Sequence, residues 1–418
     1  MTAINQDNTY IGKFWLPHKG EDSAAYGMMV LHKNGATVHL HDALTQGHLE
    51  DSVVFAELKG PHRRATLLNC YDSWIKDSNG EVIKYTINST LTALGCTTEI
   101  IETDTLTFRI PGSERWLNDN CFHVMREDLD VAVRFKPIEH YKGQLTPVLM
   151  MTRTYAATIS SGTSGIEVYS VERRMHYELR SRSKLLLGRC WTLIWSLQKF
   201  FEFVTQSHLS YENVEIHHDD LAAGHKSRVL IHNATTQRNR NEPNPINFLV
   251  HAHEIDVQTE ELIGRWVRLI DANPAPFEHY FHAFDRARED RVLHFVWNVA
   301  ALEELHKMRY RREKRDLLYR LREMVQRWKG AFDQPPDDQV LQHIKDSRHY
   351  HAHAASDLRE KAAKGWLLLR YGDFLMALSS LELLSHLGFE QNAAITLTRH
   401  SQWMREALNL TTHPGSDE

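Results

Sequence analysis

The chain has 418 residues, of which 42% are hydrophobic and 25% are charged, and its formal net charge is -5 with the histidines neutral. This length allows about two or three domains, and the composition is that of a globular protein rather than a disordered or fibrous one. The negative charge excludes a generally basic nucleic-acid coat, so any contact with nucleic acid must come from a local patch.

Cysteine spacing and hydropathy narrow the class of protein further. No Cys-x-x-Cys pair occurs, which argues against a zinc ribbon and against a disulfide framework. Residues 1–10 are polar and show no secretory signal. The most apolar stretches, 185–204 and 366–384, both contain charged residues, which favours buried helices over membrane spans. We therefore expect a cytoplasmic protein without cofactor or membrane contact.

The first part of the chain, to about residue 180, shows strand and turn signals. In the clearest case, residues 28–40, two apolar runs are joined by Asn34-Gly35, a pair that favours a two-residue type I′ hairpin. Strands this closely spaced favour a sandwich or a barrel over βαβ units. Further strands are predicted at 52–58, 64–74, 82–90, 97–101, 105–110, 131–135 and 165–171.

A helix at 185–204 interrupts this pattern, and we expect it to pack against the β-rich region. Residues 233–247 are polar, contain two prolines and have no apolar period, so they are the best candidate for a linker. The sequence thus predicts an α+β multidomain protein. A β-rich, sandwich- or barrel-like domain at 1–250 includes the helix, and an all-α domain follows at 256–412.

The second domain should be a compact helical bundle, because its predicted helices are joined by short connections. The helix at 260–270 ends before Asn273-Pro274, and Gly388 ends the helix at 358–387. The long stretch at 291–328 can be broken once. The predicted helices span 260–270, 291–328, 337–350, 358–387 and 392–408.

Residues 346–353, with the sequence DSRHYHAH, offer proton transfer and phosphate binding within one short segment. Histidine titrates near neutral pH, and arginine binds phosphate oxygens through two N–H groups. RNA cleavage without a metal needs both proton transfer and phosphate binding. A base takes the proton of a ribose 2′-OH, an acid protonates the leaving 5′-oxygen, and a cation stabilises the charged phosphorane.

The spacing Arg-x(4–6)-His alone is weak evidence, because this chain has 27 histidines and contains the pattern at least three times. The match from Arg134 to His140 lies in the β-rich part, and a second runs from Arg288 to His294. Only Arg348 to His353 adds a polar residue after the arginine, a position near a helix start and a long apolar helix behind it. Context therefore selects the third match.

An alternative use of this segment is zinc binding. His349, His351 and His353 at alternate positions would share one face of a strand and could bind the ion there. The helical surroundings argue against that geometry, so no metal site is predicted.

A basic stretch at 307–329 contains ten Lys or Arg residues and three acidic ones. It could follow an RNA backbone, while interleaved aromatics stack on bases. Alternatively, the basic stretch is an ordinary exposed helix face without RNA contact, and Tyr319 and Trp328 are directed toward the core. The predicted RNA-binding residues are Arg309, Arg311, Arg312, Lys314 and Arg315.

The second half, from about residue 260 to 410, resembles the Apea-like branch of the HEPN superfamily. The resemblance rests on VAALE at 299–303, RHYHAH at 348–353 and SLELLSHLGF at 380–389. The first half resembles the ApeA N-terminal domain that accompanies it, through YIGKFW at 10–15 and the Asn34-Gly35 hairpin.

This resemblance implies an antiphage abortive-infection protein, in which a β-rich sensing domain is joined to a toxic, metal-independent HEPN ribonuclease that acts as a homodimer. By the family motif, Arg348 and His353 are the catalytic pair, with His349 at the polar position between them. Tyr350 and Glu303 are supporting candidates. RNA would be the substrate, and a phage-derived trigger would act on the N-terminal domain. The alternative is a non-catalytic HEPN-like module that binds a nucleotide or a partner protein.

Helix geometry bears on the dimer. Positions five apart lie ~140° around a regular helix, so Arg348 and His353 should not share a face. His349 and His353, four apart, should share one. Either the helix bends there, or Arg348 acts with a partner's histidine across a two-fold axis.

Overall fold

A computed structural model describes residues 9–32, 35–45, 48–49, 52–60, 63–76, 82–117, 122–127, 130–135, 141–161, 169–220, 225–233, 243–255, 258–286, 289–310, 315–353 and 355–410. These residues form two compact units. The first lies within Met1–Glu114, Asp119–Gln198 and Leu209–Arg240. The second lies within Arg115–Asn118, Lys199–His208 and Asn241–Glu418.

The first unit is rich in antiparallel strands, as predicted for this part of the chain. Its strands are β1 (Thr9–Trp15), β2 (Ala25–His32), β3 (Gly35–Leu40), β4 (Ser52–Leu58), β5 (Arg64–Lys76), β6 (Val82–Leu94), β7 (Glu102–Arg109), β8 (Phe122–Glu127), β9 (Asp130–Phe135), β10 (Tyr141–Thr146), β11 (Leu149–Ser161), β12 (Tyr169–Leu186), β13 (Glu212–Asp220) and β14 (His225–Asn233).

Six of these strands close into a ring in the order β1-β2-β3-β6-β5-β4, with β4 paired again to β1. Alternating side chains fill its interior, among them Phe14, Met29 and Val38, none of which is exposed. The long strand β6 also pairs with β14, from which β13, β7, β12, β11 and β10 continue outward. Strands β8 and β9 form a separate hairpin.

The β2–β3 hairpin is confirmed, but Gly35 is not part of its connection as predicted. Gly35 pairs with His32 as the first residue of β3, and Asn34 lies outside the described residues. Gly35 has a φ of +117°, and a Cβ there would lie 2.1 Å from the backbone oxygen of Ser89. A glycine is therefore required at position 35, because β6 approaches the backbone too closely there for a side chain.

The helices that the structure describes fall mainly in the second unit, which confirms an α+β chain with a helical C-terminal region. They are α1 (Ser113–Leu117), α2 (Leu187–Thr205), α3 (Thr259–Ala272), α4 (Pro274–Arg286), α5 (Arg291–Tyr310), α6 (Leu317–Arg327), α7 (Asp338–His353), α8 (Gly365–His386), α9 (Gln391–His400) and α10 (Gln402–Leu408). Within the described ranges, no helix has the length and apolar character needed to cross a bilayer.

Helix α2 was predicted to pack with the β-rich region, and the structure divides it instead. Residues from Lys199 onward belong to the helical unit. There Phe203 stacks on Trp266 at 5.1 Å between ring centroids, and Phe200 lies 5.8 Å from the same ring. Aromatic packing of this kind contributes beyond simple burial, and it attaches the end of α2 to α3.

The helical unit departs from the predicted helix bounds in three places. Helix α4 was missed, because Pro274 was interpreted as a stop although proline suits the first turn of a helix. Helix α8 begins at Gly365 rather than near 358, and the last predicted helix is broken at Ser401, whose hydroxyl caps α10. The break between α5 and α6, and the end at Gly388 with a φ of +95°, are confirmed.

Helix α8 is apolar on nearly all sides because it is the central helix of the bundle, packed against α4, α5, α9 and α10. Its Gly372 faces the buried ring of His294 on α5, and a Cβ at Gly372 would lie 2.7 Å from Nε2 of that ring. His294 also hydrogen bonds the backbone oxygen of Ala283 at 2.9 Å. The ring therefore has little freedom to move away.

We expect Gly372→Ala to destabilise the helical unit by about 1–3 kcal/mol, because overpacking outweighs the higher helix propensity of alanine. Gly188 on α2 provides the matched control, since a Cβ there meets nothing within 4 Å. Gly188→Ala should leave its helix unchanged or stabilise it by up to ~1 kcal/mol. Hydrogen exchange of the α2 and α8 amides measures both effects, and changes of the same sign would contradict this explanation.

Candidate active site

Helix α7 carries the predicted catalytic segment. It follows Pro335-Pro336, and the side chain of Asp337 caps it by accepting from the backbone N–H of Val340 at 2.9 Å. Leu341, Ile344 and Ser347 are buried at three-residue intervals, so this face packs against the bundle. Contacts with α5 and α6 place the opposite, polar face in a cleft between these helices.

Two side chains of α7 hold the segment that leads into α8. The Ser347 hydroxyl donates to the backbone oxygen of His343 and accepts from the N–H of Ala363 at 2.8 Å. His351 Nε2 is 2.9 Å from the backbone oxygen of Ala363, and its ring also lies near Phe295. His351 is therefore a structural residue. Tyr350, predicted as a supporting residue, packs its ring 4.9 Å from that of His351.

Arg348 is the centre of the candidate site. Its Nη1 lies 2.8 Å from Nε2 of His353, and its Nη2 is 3.7 Å from a carboxylate oxygen of Glu303 on α5. Because a guanidinium can only donate, the first contact requires the unprotonated Nε2 lone pair of a neutral imidazole. The structure thus brings together the arginine, the histidine and the predicted supporting carboxylate.

Arg348 and His353 were expected to lie on different faces of a regular helix and to meet only through a bend or across a dimer axis, yet their side chains are in contact within one chain. The 140° separation concerns Cα positions, whereas the long arginine side chain reaches along the helix to its last residue. Neither a bend nor a partner subunit is needed to explain the contact.

Each of the other two matches to the Arg-x(4–6)-His pattern has one member outside the described residues, so neither pair can be compared with Arg348 and His353. Arg134 lies on strand β9, and residues 136–140 are outside the described ranges. Arg288 is likewise not described, and His294 is fully buried, with Nε2 3.2 Å from Asp373. The third match lies on a helix as predicted, but at the end of α7 rather than near a helix start, because α7 runs from Asp338 to His353.

His349 and His353 share one exposed face of α7, as predicted from their spacing of four residues. Their ring centroids are 5.3 Å apart. The zinc alternative required His349, His351 and His353 to alternate along a strand, and they lie on a helix instead. His351 contacts Ala363 on a different side of the helix from the exposed pair.

An open cleft of about 400 Å³ adjoins Arg348. Lys345 crosses it to form an ion pair of 2.9 Å with Asp316, the N-cap residue of α6. The hydrogen bond from the Tyr319 backbone N–H, followed by that from Lys345, lowers the pKa of the Asp316 carboxyl. The cleft is lined by Glu303, Asp316, Leu317, Gln342, Lys345, Asp346, Arg348, His349 and Leu358.

Much of the predicted basic stretch is engaged within the protein. Arg309 donates from Nε to the buried carboxylate of Glu382 at 3.1 Å and from Nη2 to Ser385, which argues against its predicted RNA-binding role. Arg320 is buried and donates to the backbone oxygen of Glu303 at 2.9 Å. Arg322 forms an exposed two-bond pair with Asp338. These contacts favour the structural interpretation for most of the stretch.

Arg315 is the remaining described member of the predicted RNA-binding set. It is exposed, and its guanidinium carbon lies 4.5 Å from the centroid of the Tyr319 ring. Tyr319 is 39% exposed, contrary to the expectation that it faces the core, whereas Trp328 is fully buried as expected. Arg311, Arg312 and Lys314 lie outside the described residues.

Sequence reasoning missed Gln342 and Asp346 among the cleft residues of α7, although a signal was present. Gln342, Asp346, His349 and His353 follow one another at intervals of four, three and four, which places them along one stripe of a helix. Asp316 and Glu303 come from other helices, so only the tertiary structure shows that they face the same cleft.

The chain was compared with protein families, curated proteins and solved structures. The model of the ApeA N-terminal domain 1 matches residues 9–266, and the model of the Apea-like HEPN domain matches residues 280–393. No curated protein and no solved structure matches the chain. HEPN domains are generally ribonuclease modules, which supports a ribonuclease or defence role in general. The chain therefore belongs to the ApeA N-terminal domain 1 family and carries an Apea-like HEPN domain behind that region.

Proposed function

We propose that the protein is a metal-independent endoribonuclease of an antiphage abortive-infection system. It would cleave RNA by attack of a 2′-OH, leaving a 2′,3′-cyclic phosphate and a 5′-hydroxyl. The observation that carries this proposal is the contact of 2.8 Å between the Arg348 guanidinium and Nε2 of His353, beside a second exposed imidazole and an open cleft.

The two side chains supply complementary functions. In the proposed reaction, a scissile phosphate competes with His353 for the N–H groups of Arg348, which bind two of its oxygens. Nε2 of His353 is then free to exchange a proton with the substrate. His349, whose ring lies 5.3 Å away, supplies the second imidazole. One ring takes the proton of the 2′-OH, and the other protonates the leaving 5′-oxygen.

Glu303 acts in this scheme as a positioning residue. Its carboxylate is 3.7 Å from Nη2 of Arg348, and its backbone oxygen accepts from the buried Arg320. Helices α5, α6 and α7 are thus connected at the point where the guanidinium lies. A guanidinium held by a fixed carboxylate is already oriented when the phosphate arrives, which reduces the cost of reorganisation.

The wider role that we propose is supported by the family matches of the two regions. The β-rich N-terminal region would sense a phage-derived trigger or restrain the nuclease, and the activated HEPN domain would act as a toxin against cytoplasmic RNA. A homodimer through the HEPN domain would place two sites of this kind together. Arg315 would contribute RNA contacts, together with Arg311, Arg312 and Lys314.

The proposal is tested by incubating the purified full chain with total RNA in excess EDTA. We expect cleavage, with 2′,3′-cyclic phosphate on the upstream ends and 5′-hydroxyl on the downstream ends. The ends are distinguished by ligation after kinase or phosphatase treatment. Intact RNA under activating conditions would instead favour the non-catalytic module that binds a nucleotide or a partner, and cleavage that returns only with zinc would revive the metal alternative.

A further inference from the structure

The cleft next to Arg348 has the wrong charge for a second phosphate. Of the described residues that line it, three are carboxylates, Glu303, Asp316 and Asp346, and two are permanent cations, Lys345 and Arg348. A phosphate that moved past Arg348 would meet this excess of negative charge. Hydrogen-bond donors of a neutral group, by contrast, would find acceptors there.

Asp346 is the carboxylate best placed to accept from such a group. Among the described residues, its hydrogen-bond partner is the amide of Gln342 at 2.7 Å, which leaves acceptor capacity on the carboxylate. Asp316 caps α6 and binds Lys345, and Glu303 lies beside Arg348. Asp346 also precedes His349 on the same helix stripe, with a rise of about 4.5 Å between their positions.

Lys345 adds a donor to the same cleft. One of its three N–H groups binds Asp316 at 2.9 Å, and the ammonium can donate to a further acceptor without leaving that partner. Leu317 and Leu358 form an apolar part of the cleft wall, against which a flat ring can lie. A volume of about 400 Å³ is within the range of small-molecule sites.

We propose that this cleft binds the guanine base of the nucleotide next to the scissile phosphate. Guanine presents two neighbouring donors, N1–H and N2–H₂, which match the two oxygens of one carboxylate, and an O6 acceptor that matches Lys345. Adenine would direct an amine at Lys345, and uracil has one donor between two acceptors. The inference rests on the proposed ribonuclease function and makes Asp346 a specificity-determining residue.

The test measures binding separately from cleavage. The full chain in EDTA is titrated into labelled uridine decamers that contain one guanosine, inosine or adenosine, with 2′-deoxy sugars to prevent cleavage. We expect the guanine oligomer to bind at least about tenfold more tightly than the adenine oligomer, with inosine between them because it lacks the N2 amine. Fluorescence anisotropy gives the dissociation constants.

Asp346→Asn should reduce the preference for guanine to less than about threefold, because the amide offers one acceptor instead of two. Its affinity for the adenine oligomer should stay within about twofold of the wild type, which excludes general misfolding. The matched control is Asp338→Asn, also on α7 but paired with Arg322 outside the cleft. It should retain the full preference.

Equal binding of guanine and adenine by the wild type would overturn the base-pocket proposal. Retained preference in Asp346→Asn, or equal loss of affinity for all oligomers, would do the same. Two further outcomes distinguish a failure of the proposed ribonuclease function from a failure of the base-pocket proposal. Guanine-selective binding without any cleavage of ribose substrates contradicts the nuclease activity and supports the pocket, whereas cleavage without base preference at the sequenced ends supports the nuclease and refutes the pocket.

Discussion

Replacing His353 with alanine should lower the rate of RNA cleavage by about 10²–10⁴-fold, because one of the two proton-transfer groups is lost. Arg348→Ala should cost about 10²–10³-fold, because the charge of the phosphorane loses its guanidinium partner. Arg348→Lys should recover only part of this loss, since an ammonium lacks the planar pair of donors. Initial rates on a defined oligonucleotide in EDTA measure all three effects.

Matched controls separate chemistry from folding. Arg322→Ala removes an exposed arginine that is also paired with a carboxylate, and His400→Ala removes a half-exposed histidine that pairs with Glu254 at 2.9 Å. Both should cleave RNA at the wild-type rate. His353 is exposed and Arg348 is partly exposed, so their alanine variants should unfold at the wild-type temperature. Wild-type activity in His353→Ala would rule out the proposed mechanism.

A sulfur substrate then assigns the two histidines. When a bridging sulfur replaces the leaving 5′-oxygen, the leaving group departs without protonation, so the variant that lacks only the general acid should regain most of its rate. One of His349→Ala and His353→Ala should be rescued, and the other should stay slow. Rescue of neither or of both variants would contradict the division of roles between the rings.

Glu382→Ala should destabilise the helical unit by about 3–5 kcal/mol, the largest stability effect that the structure suggests. Glu382 on α8 is 1% exposed, and its carboxylate accepts from Trp328 Nε1 at 2.6 Å and from Arg309 at 3.1 Å. Arg327 is a further ion-pair partner, with Nε at 3.4 Å. Loss of the carboxylate leaves the partly buried guanidinium groups of Arg309 and Arg327 without their anion.

The exposed pair of Arg322 and Asp338 provides the comparison. Asp338→Ala should leave the stability of the helical unit nearly unchanged, because water replaces the lost partner. Hydrogen exchange of amides in α6 and α8 measures both variants in the full chain. A double replacement, Arg309→Met with Glu382→Met, should be less damaging than Glu382→Ala, since fewer charges stay unpaired. Equal losses of stability for Glu382→Ala and Asp338→Ala would refute the claim that the buried Glu382 carboxylate stabilises the helical unit through its three partners.

The candidate site shows which kinds of inference from sequence succeed. Local spacing predicted that His349 and His353 share a face and that the β2–β3 hairpin exists, because both depend on residues within a few positions. The same local reasoning left open how Arg348 and His353 could meet, since it followed Cα angles and not side-chain length. It failed at Pro274, where a proline begins a helix.

The amino-acid sequence by itself determined the division into a β-rich and a helical region, the helix that carries Arg348, and the families that the two regions resemble. These properties follow from periodicity, turn residues and motif spacing along the chain. The closure of six strands into a ring, the pairing of Arg309 with the buried Glu382, and the cleft between Asp316 and Asp346 were decided only by the tertiary structure. The physical reason is that each depends on groups brought together from distant positions, whose charge and burial are set by packing rather than by their neighbours in sequence.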